Sequence, residues 1–427
     1  MLMHKLFGQL VSSCPTTEVR RREHLTYRGN VNSGRHGWLR LTPAYSLNVV
    51  QEILSDSQHT DRVLDPFSGT GTTPLLSASL GVQADAVDIN PFLVWLGNLK
   101  VTSYAPATAA ALLSAARQIA SKLNRRRDHD GTWVPALHQI EKWWDPEPLA
   151  QLAQLRAGIE KVEVSDADIA ALLKIAFCRV AIETAHVSFG HQSMSFKARS
   201  ASQQLSLPNA SPSESVSRQF ILAATQVADG LTTDEPRAVA RVYLGDSRIL
   251  EDILPRHAYT KVVTSPPYPN RMSYIRELRP YMYWLGYLTN GRQAGEMDWQ
   301  AIGGTWGCAT SNLSTWKPNP KTEIPYPTFS GIVGRIGQDH KLLGRYVHKY
   351  FEDIKTHLQS LRAVIASRGS CYYIVGNSKY YGTLLPVHEI YAALFEDTGF
   401  KNIQIETLRK RNSKKELYEY IVYAQAP

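Results

Sequence analysis

Cysteine is scarce in this chain: four in 427 residues, Cys14, Cys178, Cys308 and Cys371, widely spaced and with no CxxC pair. That spacing suggests neither a disulfide framework nor a zinc site, and the expected compartment is the cytoplasm. No apolar run is long enough to cross a bilayer, so no membrane partner is expected. The opening MLMHKLFGQLVSSCP is too short and polar to read as a signal peptide. Acidic residues are in deficit, 38 Asp plus Glu against 47 Lys plus Arg, for a net charge of +9. Such a balance suits a phosphate-rich partner, although many proteins are mildly basic. Internal repeats are missing too. What is there, 43% hydrophobic and 20% charged residues, is ordinary for one large core or a core with an inserted second unit.

The first residues, to about Gly37, are polar and basic and are expected to drape over the surface. Apolar spacing predicts a helix from Pro43 to Leu54. The segment DRVLDPFSGTGTTPLLSASLGVQADAVDIN then reads as a strand (Arg62 to Asp65), a Gly-rich turn, a helix (Thr73 to Leu80) and a strand (Ala84 to Asp88). This βαβ pattern implies parallel strands and a right-handed crossover. Periodic stretches at Ala107 to Leu123, Pro148 to Ile159 and Asp166 to Thr184 predict a helical insertion over 106–235. Strand signals return in ARVYLGDSR and TKVVTSPPY, followed by a Tyr-rich helix (Ile275 to Leu288). A Gly/Pro/Trp-punctuated region, 290–345, precedes a long helix (Tyr346 to Ser367), the strand SCYYIVGNS, a helix (Val387 to Asp397) and a closing strand hairpin. The expected fold is α/β, with a mostly parallel sheet and an antiparallel edge hairpin.

Two constellations can carry chemistry. In DPFSGTGTT, Asp65 to Thr73, Gly69 and Gly71 permit a tight turn and close approach of a ligand to backbone. The lysine of a phosphate loop and the third glycine of a dinucleotide fingerprint are both missing, which leaves a small cofactor at the strand end, or a simple turn. Asp65 is expected to face something cationic. Asp88, ending the next strand, is placed to accept ribose hydroxyls, although DIN-P is also a good helix cap. In TSPPY the two prolines stiffen a loop and remove backbone donors, leaving carbonyl acceptors beside an aromatic ring. That set suits an amino group on a planar ring: Ser265 and the Pro266 carbonyl accept its hydrogens, Pro267 shapes the loop, and Tyr268 stacks.

DPFSGTGTT, Asp88 and TSPPY together resemble the S-adenosylmethionine-dependent DNA amino-methyltransferase family. The resemblance extends to RHGWLRLTPAYS, similar to an amino-terminal cofactor motif, and to LGDSR, where Asp246 would meet the cofactor adenine beside Ser247. It implies a Rossmann-like methyltransferase fold with a seven-stranded sheet. The cofactor would be held by Asp65, Pro66, Phe67, Ser68, Gly69, Gly71, Thr72, Thr73, Asp88, Ile89, Asn90, Asp246 and Ser247. Catalysis would fall to Ser265, Pro266, Pro267 and Tyr268. The serine before Pro-Pro-Tyr favours cytosine N4 over adenine N6 within the family.

On this reading 1–105 is the cofactor half, 106–235 a DNA clamp or recognition insertion, 236–289 the catalytic half, 290–345 the target-recognition region and 346–427 the rest of the sheet. Expected DNA contacts are Lys317, Lys321 and Arg335 for the bases, Arg271 beside the TSPPY loop, and Arg125, Arg126, Arg127, Lys197 and Arg199 for phosphates. A metal at His186 and His191 lacks a third ligand nearby, and none is expected. Trp143, Trp144, Tyr281, Tyr283 and Tyr287 read as packing. The expected activity is site-specific methylation of cytosine N4 in double-stranded DNA by base flipping, with a cognate restriction endonuclease as a further partner. Adenine-N6 or RNA methylation on the same scaffold, and a non-catalytic nucleic-acid-binding protein, remain as alternatives.

Overall fold

The computed structural model describes residues 25–26, 29–30, 33–39, 41, 45–123, 133–188, 195–196, 212–411 and 416–427. Seven strands form the central sheet: β1 (Arg62–Asp65), β2 (Gln83–Asp88), β3 (Ala240–Leu244), β4 (Tyr259–Thr264), β5 (Ile365–Gly376), β6 (Lys401–Lys410) and β7 (Tyr418–Gln425). Their order is β6-β7-β5-β4-β1-β2-β3. β1 pairs in parallel with β2 and β4, β2 with β3, and β4 with β5, whereas β7 runs antiparallel to both β5 and β6. This is the mostly parallel, Rossmann-like sheet with an edge hairpin expected from the sequence. Only β7 is reversed.

Period-two alternation builds the layers. Val63, Val263, Tyr372 and Ile374 face one side, against α1 (Leu47–Leu54) and α2 (Thr72–Ser79). Their neighbours Leu64, Val262, Tyr373 and Val375 face the other, against α12 (Lys341–Val364) and α13 (Val387–Asp397). At the far edge, α3 (Pro91–Val101) closes β3. Asn98 accepts from Val242 N at 3.0 Å and donates to Val242 O at 2.8 Å, satisfying groups an edge strand would leave open.

The insertion is helical: α4 (Thr108–Ala120), α5 (Pro146–Glu163), α6 (Ala167–Glu183) and α7 (Pro212–Leu231). It shares one apolar core with α3 and with α8 (Tyr274–Trp284), in which Trp143, Trp144, Phe177 and Trp284 are buried. Arg35 ties this layer to the sheet. It is fully buried and donates to Lys100 O (2.9 Å) and Thr102 O (2.6 Å) at the end of α3, and to Gly230 O and Leu231 O (both 3.2 Å) at the end of α7. A cation there satisfies carbonyls that helix ends otherwise leave unpaired.

Two expectations need correction. Region 290–345 is not mainly turns: it holds α9 (Gly291–Gln300), α10 (Cys308–Thr315) and α11 (Phe329–Asp339). The long helix starts earlier than Tyr346 and ends at Val364, after which β5 begins at once, so Ser367 is in the strand. Apolar β-branched residues at Val364 and Ile365 continue either pattern, and periodicity alone does not place the break. Among the described residues no helix is long and apolar enough to cross a membrane.

Candidate active site

Every parallel strand from β1 to β4 ends at the same rim, where an open α/β sheet binds its ligands. The loops there enclose a cleft of about 310 Å³. β1 contributes Pro66, Phe67 and Gly69; β2 contributes Asp88, Ile89 and Asn90; β3 contributes Asp246 and Ser247; β4 contributes Ser265, Pro266, Pro267 and Tyr268. Residues far apart in the chain thus share one wall.

The Asp88 carboxylate accepts from Gly69 N at 2.8 Å and from Asn90 N at 2.9 Å, joining the turn after β1 to the cap of α3. Asn90 is that cap, accepting from Phe92 N at 3.0 Å with Pro91 behind it. The helix-cap reading of DIN-P therefore holds, and it leaves Asp88 on the cleft wall. Burial pushes the Asp88 carboxyl up to about 7. Each of its oxygens keeps a further lone pair for a ligand in the cleft. Gly71 is left-handed (φ 75°), and a Cβ there would lie 3.3 Å from the Cα of Gly97 on α3, so the turn tolerates no larger residue easily.

Asp65 does not face the cleft. It is wholly buried behind the wall, accepting from Thr264 Oγ1 (2.6 Å), Tyr45 OH (3.0 Å) and Phe67 N (3.1 Å), and burial raises its carboxyl to about 6. It organises the loop from within instead of meeting a cation. Ser68, Gly71, Thr72 and Thr73 likewise stand behind the lining, Thr73 bonding Tyr45 and Val263 O. Asp246 reaches the cleft already bound by Arg248 (2.6 Å), which also pairs with Asp353 at 2.8 Å. Phe67 packs edge-on against His357 at 4.7 Å. That ring donates from Nδ1 to Ser247 O at 2.9 Å and accepts from Tyr373 OH at 2.6 Å, and burial holds it neutral, down at about 4.

In the loop after β4, Ser265 Oγ donates to Ile374 O at 3.2 Å and lies 3.5 Å from Tyr268 OH, which leaves it lone-pair capacity as an acceptor. The Pro267 carbonyl is taken by Tyr350 OH at 2.7 Å. No donor among the described residues takes the Pro266 carbonyl. Tyr268 lies beside the Arg411 guanidinium, 5.0 Å from ring centroid, and Arg409 and Arg411 both approach Glu419 (2.7 and 3.8 Å). Gly376 makes this possible: a Cβ there would come within 2.9 Å of the Tyr268 ring.

Sequence reasoning missed these hairpin residues, and also Val49 of α1; Tyr45 and Ser46 were noted only as part of RHGWLRLTPAYS. Arg271 is exposed at the rim with a left-handed backbone (φ 63°). Lys317, Lys321 and Arg335 are exposed but outside the cleft, and the 317–321 turn is held along α12 through Asn319 N to Glu352 at 3.0 Å. Arg125, Arg126, Arg127, Lys197, Arg199 and His191 lie outside the described residues. His186 pairs with Asp145 at 2.9 Å. No cluster of metal-ligating side chains occurs among the described residues.

No family model matches the chain. Its sequence is similar to the type II methyltransferase M.BsoBI of Geobacillus stearothermophilus, 21% identical over 455 residues, 95% of this chain and 86% of the relative. Over 72 residues, 16% of this chain and 15% of the relative, it is 26% identical to the type II methyltransferase M.AvaI of a Nostoc species and of Anabaena variabilis. A solved rRNA methyltransferase, aviRa from Streptomyces viridochromogenes, aligns over 91% of this chain and 87% of its own at 12% identity. Its TM-score is 0.28, so that superposition adds nothing to the sheet order itself. The sequence similarity thus runs along nearly the whole chain to a type II methyltransferase.

Proposed function

We propose that this protein transfers a methyl group from S-adenosylmethionine to the exocyclic N4 of cytosine in double-stranded DNA, at a specific site, after flipping the base. The observation that carries this reading is the convergence of Gly69, Asp88 and the Ser265-Pro-Pro-Tyr268 loop on one cleft. The residues fit the cofactor's chemistry: a carboxylate acceptor at Asp88 for a ribose diol, apolar walls at Phe67 and Ile89 for an adenine, and acceptors at Asp246 for its amino group.

When bound, S-adenosylmethionine supplies the electrophilic methyl. The rest is done by the chain. The cytosine amino lone pair is delocalised into the ring and is a weak nucleophile. Ser265 Oγ and the Pro266 carbonyl, both acceptors here, draw on the amino hydrogens and offset the positive charge that develops on nitrogen. A paired amino group is buried in the duplex stack, so the base must leave it, and Tyr268 replaces the lost stacking neighbour. Preference for cytosine over adenine rests on the serine at 265 and its family resemblance. Base reading is assigned to 290–345, with Lys317, Lys321 and Arg335, and phosphate clamping to the helical insertion with Arg125 to Arg127, Lys197 and Arg199. The enzyme is read as the cytoplasmic modification half of a restriction system, acting beside a cognate endonuclease.

The test is expression in a host free of DNA methylation, followed by nucleoside mass spectrometry. N4-methylcytosine should appear with the wild-type protein and vanish with Ser265→Ala. Methyladenine alone would overturn the choice of base, and unmodified DNA the reaction.

A further inference from the structure

A second cavity, about 330 Å³, opens beside the first. The two share Met272, and α8, the helix that follows the catalytic loop, lines the new one with Arg271 and Arg276 near its start. Trp306 lines it too: its backbone N–H donates to Asp298 at 2.6 Å while Ser273 Oγ, the cap of α8, donates to the same carboxylate at 2.5 Å, which fixes the chain there. Arg279 lies within stacking distance of Trp306 (5.4 Å) and of Trp143 in the helical layer (5.1 Å). No ion pair neutralises Arg271, Arg276 or Arg279 among the described residues. Glu277 lines the same cavity and acts on Arg279, yet burial and the repulsion of Arg276 still lower the Arg279 guanidinium to about 10. The balance is a surplus of guanidinium groups around a cavity of ligand size.

Guanidinium forks without carboxylate partners suit phosphate oxygens, and an indole wall suits a sugar or a base. We propose that this cavity binds a nucleotide of the DNA strand next to the flipped one, with its phosphate on Arg271 and Arg276 and its sugar and base against Trp306. The proposal rests on the reading of the adjoining cleft as a DNA methyltransferase site.

Fluorescence anisotropy with a duplex carrying the methylated site tests it, over a salt series and without methyl transfer. R276Q should weaken binding about tenfold and reduce the slope of log affinity against log salt by about 0.9, the loss of one phosphate contact. R276K should keep the slope, W306A should weaken binding several-fold without changing it, and all three should bind S-adenosylmethionine and melt like wild type. An unchanged affinity and slope in R276Q would overturn the proposal. So would a larger loss on a single-stranded RNA than on the duplex. Because binding alone is read, a wild-type protein that fails to methylate DNA sinks the proposed reaction and not this measurement.

Discussion

Asp88 does two things with one carboxyl group, and its titration separates them. It holds Gly69 N and Asn90 N, and it faces the cleft. Its folded pKa, about 7, lies well above the ordinary carboxylate value of 3.8, so the folded state keeps the proton between those values. The stability this brings is present at low pH and is lost as pH rises through about 7. A ribose diol needs the ionised form as acceptor. Affinity for S-adenosylmethionine should therefore rise with pH through about 7, and calorimetry on Asp88→Asn should show this dependence gone, with about 1.5–3 kcal/mol of binding lost on the alkaline side. Lys100, lowered to about 7 by burial, and Asp65, at about 6, titrate nearby, so a dependence that survives in Asp88→Asn would belong to them. Asp88 and Ser265 to Tyr268 were legible in the sequence because each sits in a short contiguous motif at a strand end. Asp65 was legible as a motif member but not as a buried organiser, since nothing in DPF says which way its side chain turns.

At the scale of elements, helix ends are where the fold is most exposed to a single change. Arg35 serves the carbonyls of both α3 and α7; at α7 Thr233 Oγ1 also donates to Gly230 O at 3.4 Å, while Leu231 O has no other side-chain donor among the described residues. Arg35→Ala would strand several buried acceptors, each costing roughly 1–3 kcal/mol, so the expected loss is about 3 kcal/mol or more. Urea unfolding would show it as a lower midpoint; a change below about 1 kcal/mol would mean water reaches those carbonyls. Helices with strong periodicity, such as α6 with its Asp166 cap, matched the sequence reading to within a residue. The break between α12 and β5 did not, because Val364 and Ile365 suit both and the parallel pairing of β5 with β4 decides it.

For the whole molecule, the proposed reaction needs a surface that reads the bases. The region 290–345 proved to be three helices, and its 317–321 turn lies against α12 instead of over the cleft. If it still supplies base contacts, Lys317→Ala, Lys321→Ala and Arg335→Ala should alter site preference in methylome sequencing while leaving the salt dependence of binding nearly intact. A change confined to the salt slope would make these three residues phosphate contacts, and recognition would pass to the helical insertion.

By itself the sequence determined the α/β class, the order of the DPFSGTGTT turn before the TSPPY loop, and the residues at four strand ends, because local turn chemistry and hydrophobic period are properties of short segments. Only the tertiary structure decided what stands around them. Arg411 and Glu419 come to Tyr268 through the β6–β7 hairpin, Gly376 opens the space they need, and Arg276 and Trp306 enclose a second cavity. These juxtapositions come from strand order and helix packing. The pairing of β7 with β5 sets residues far apart in the chain side by side, and no pattern within either segment encodes its partner.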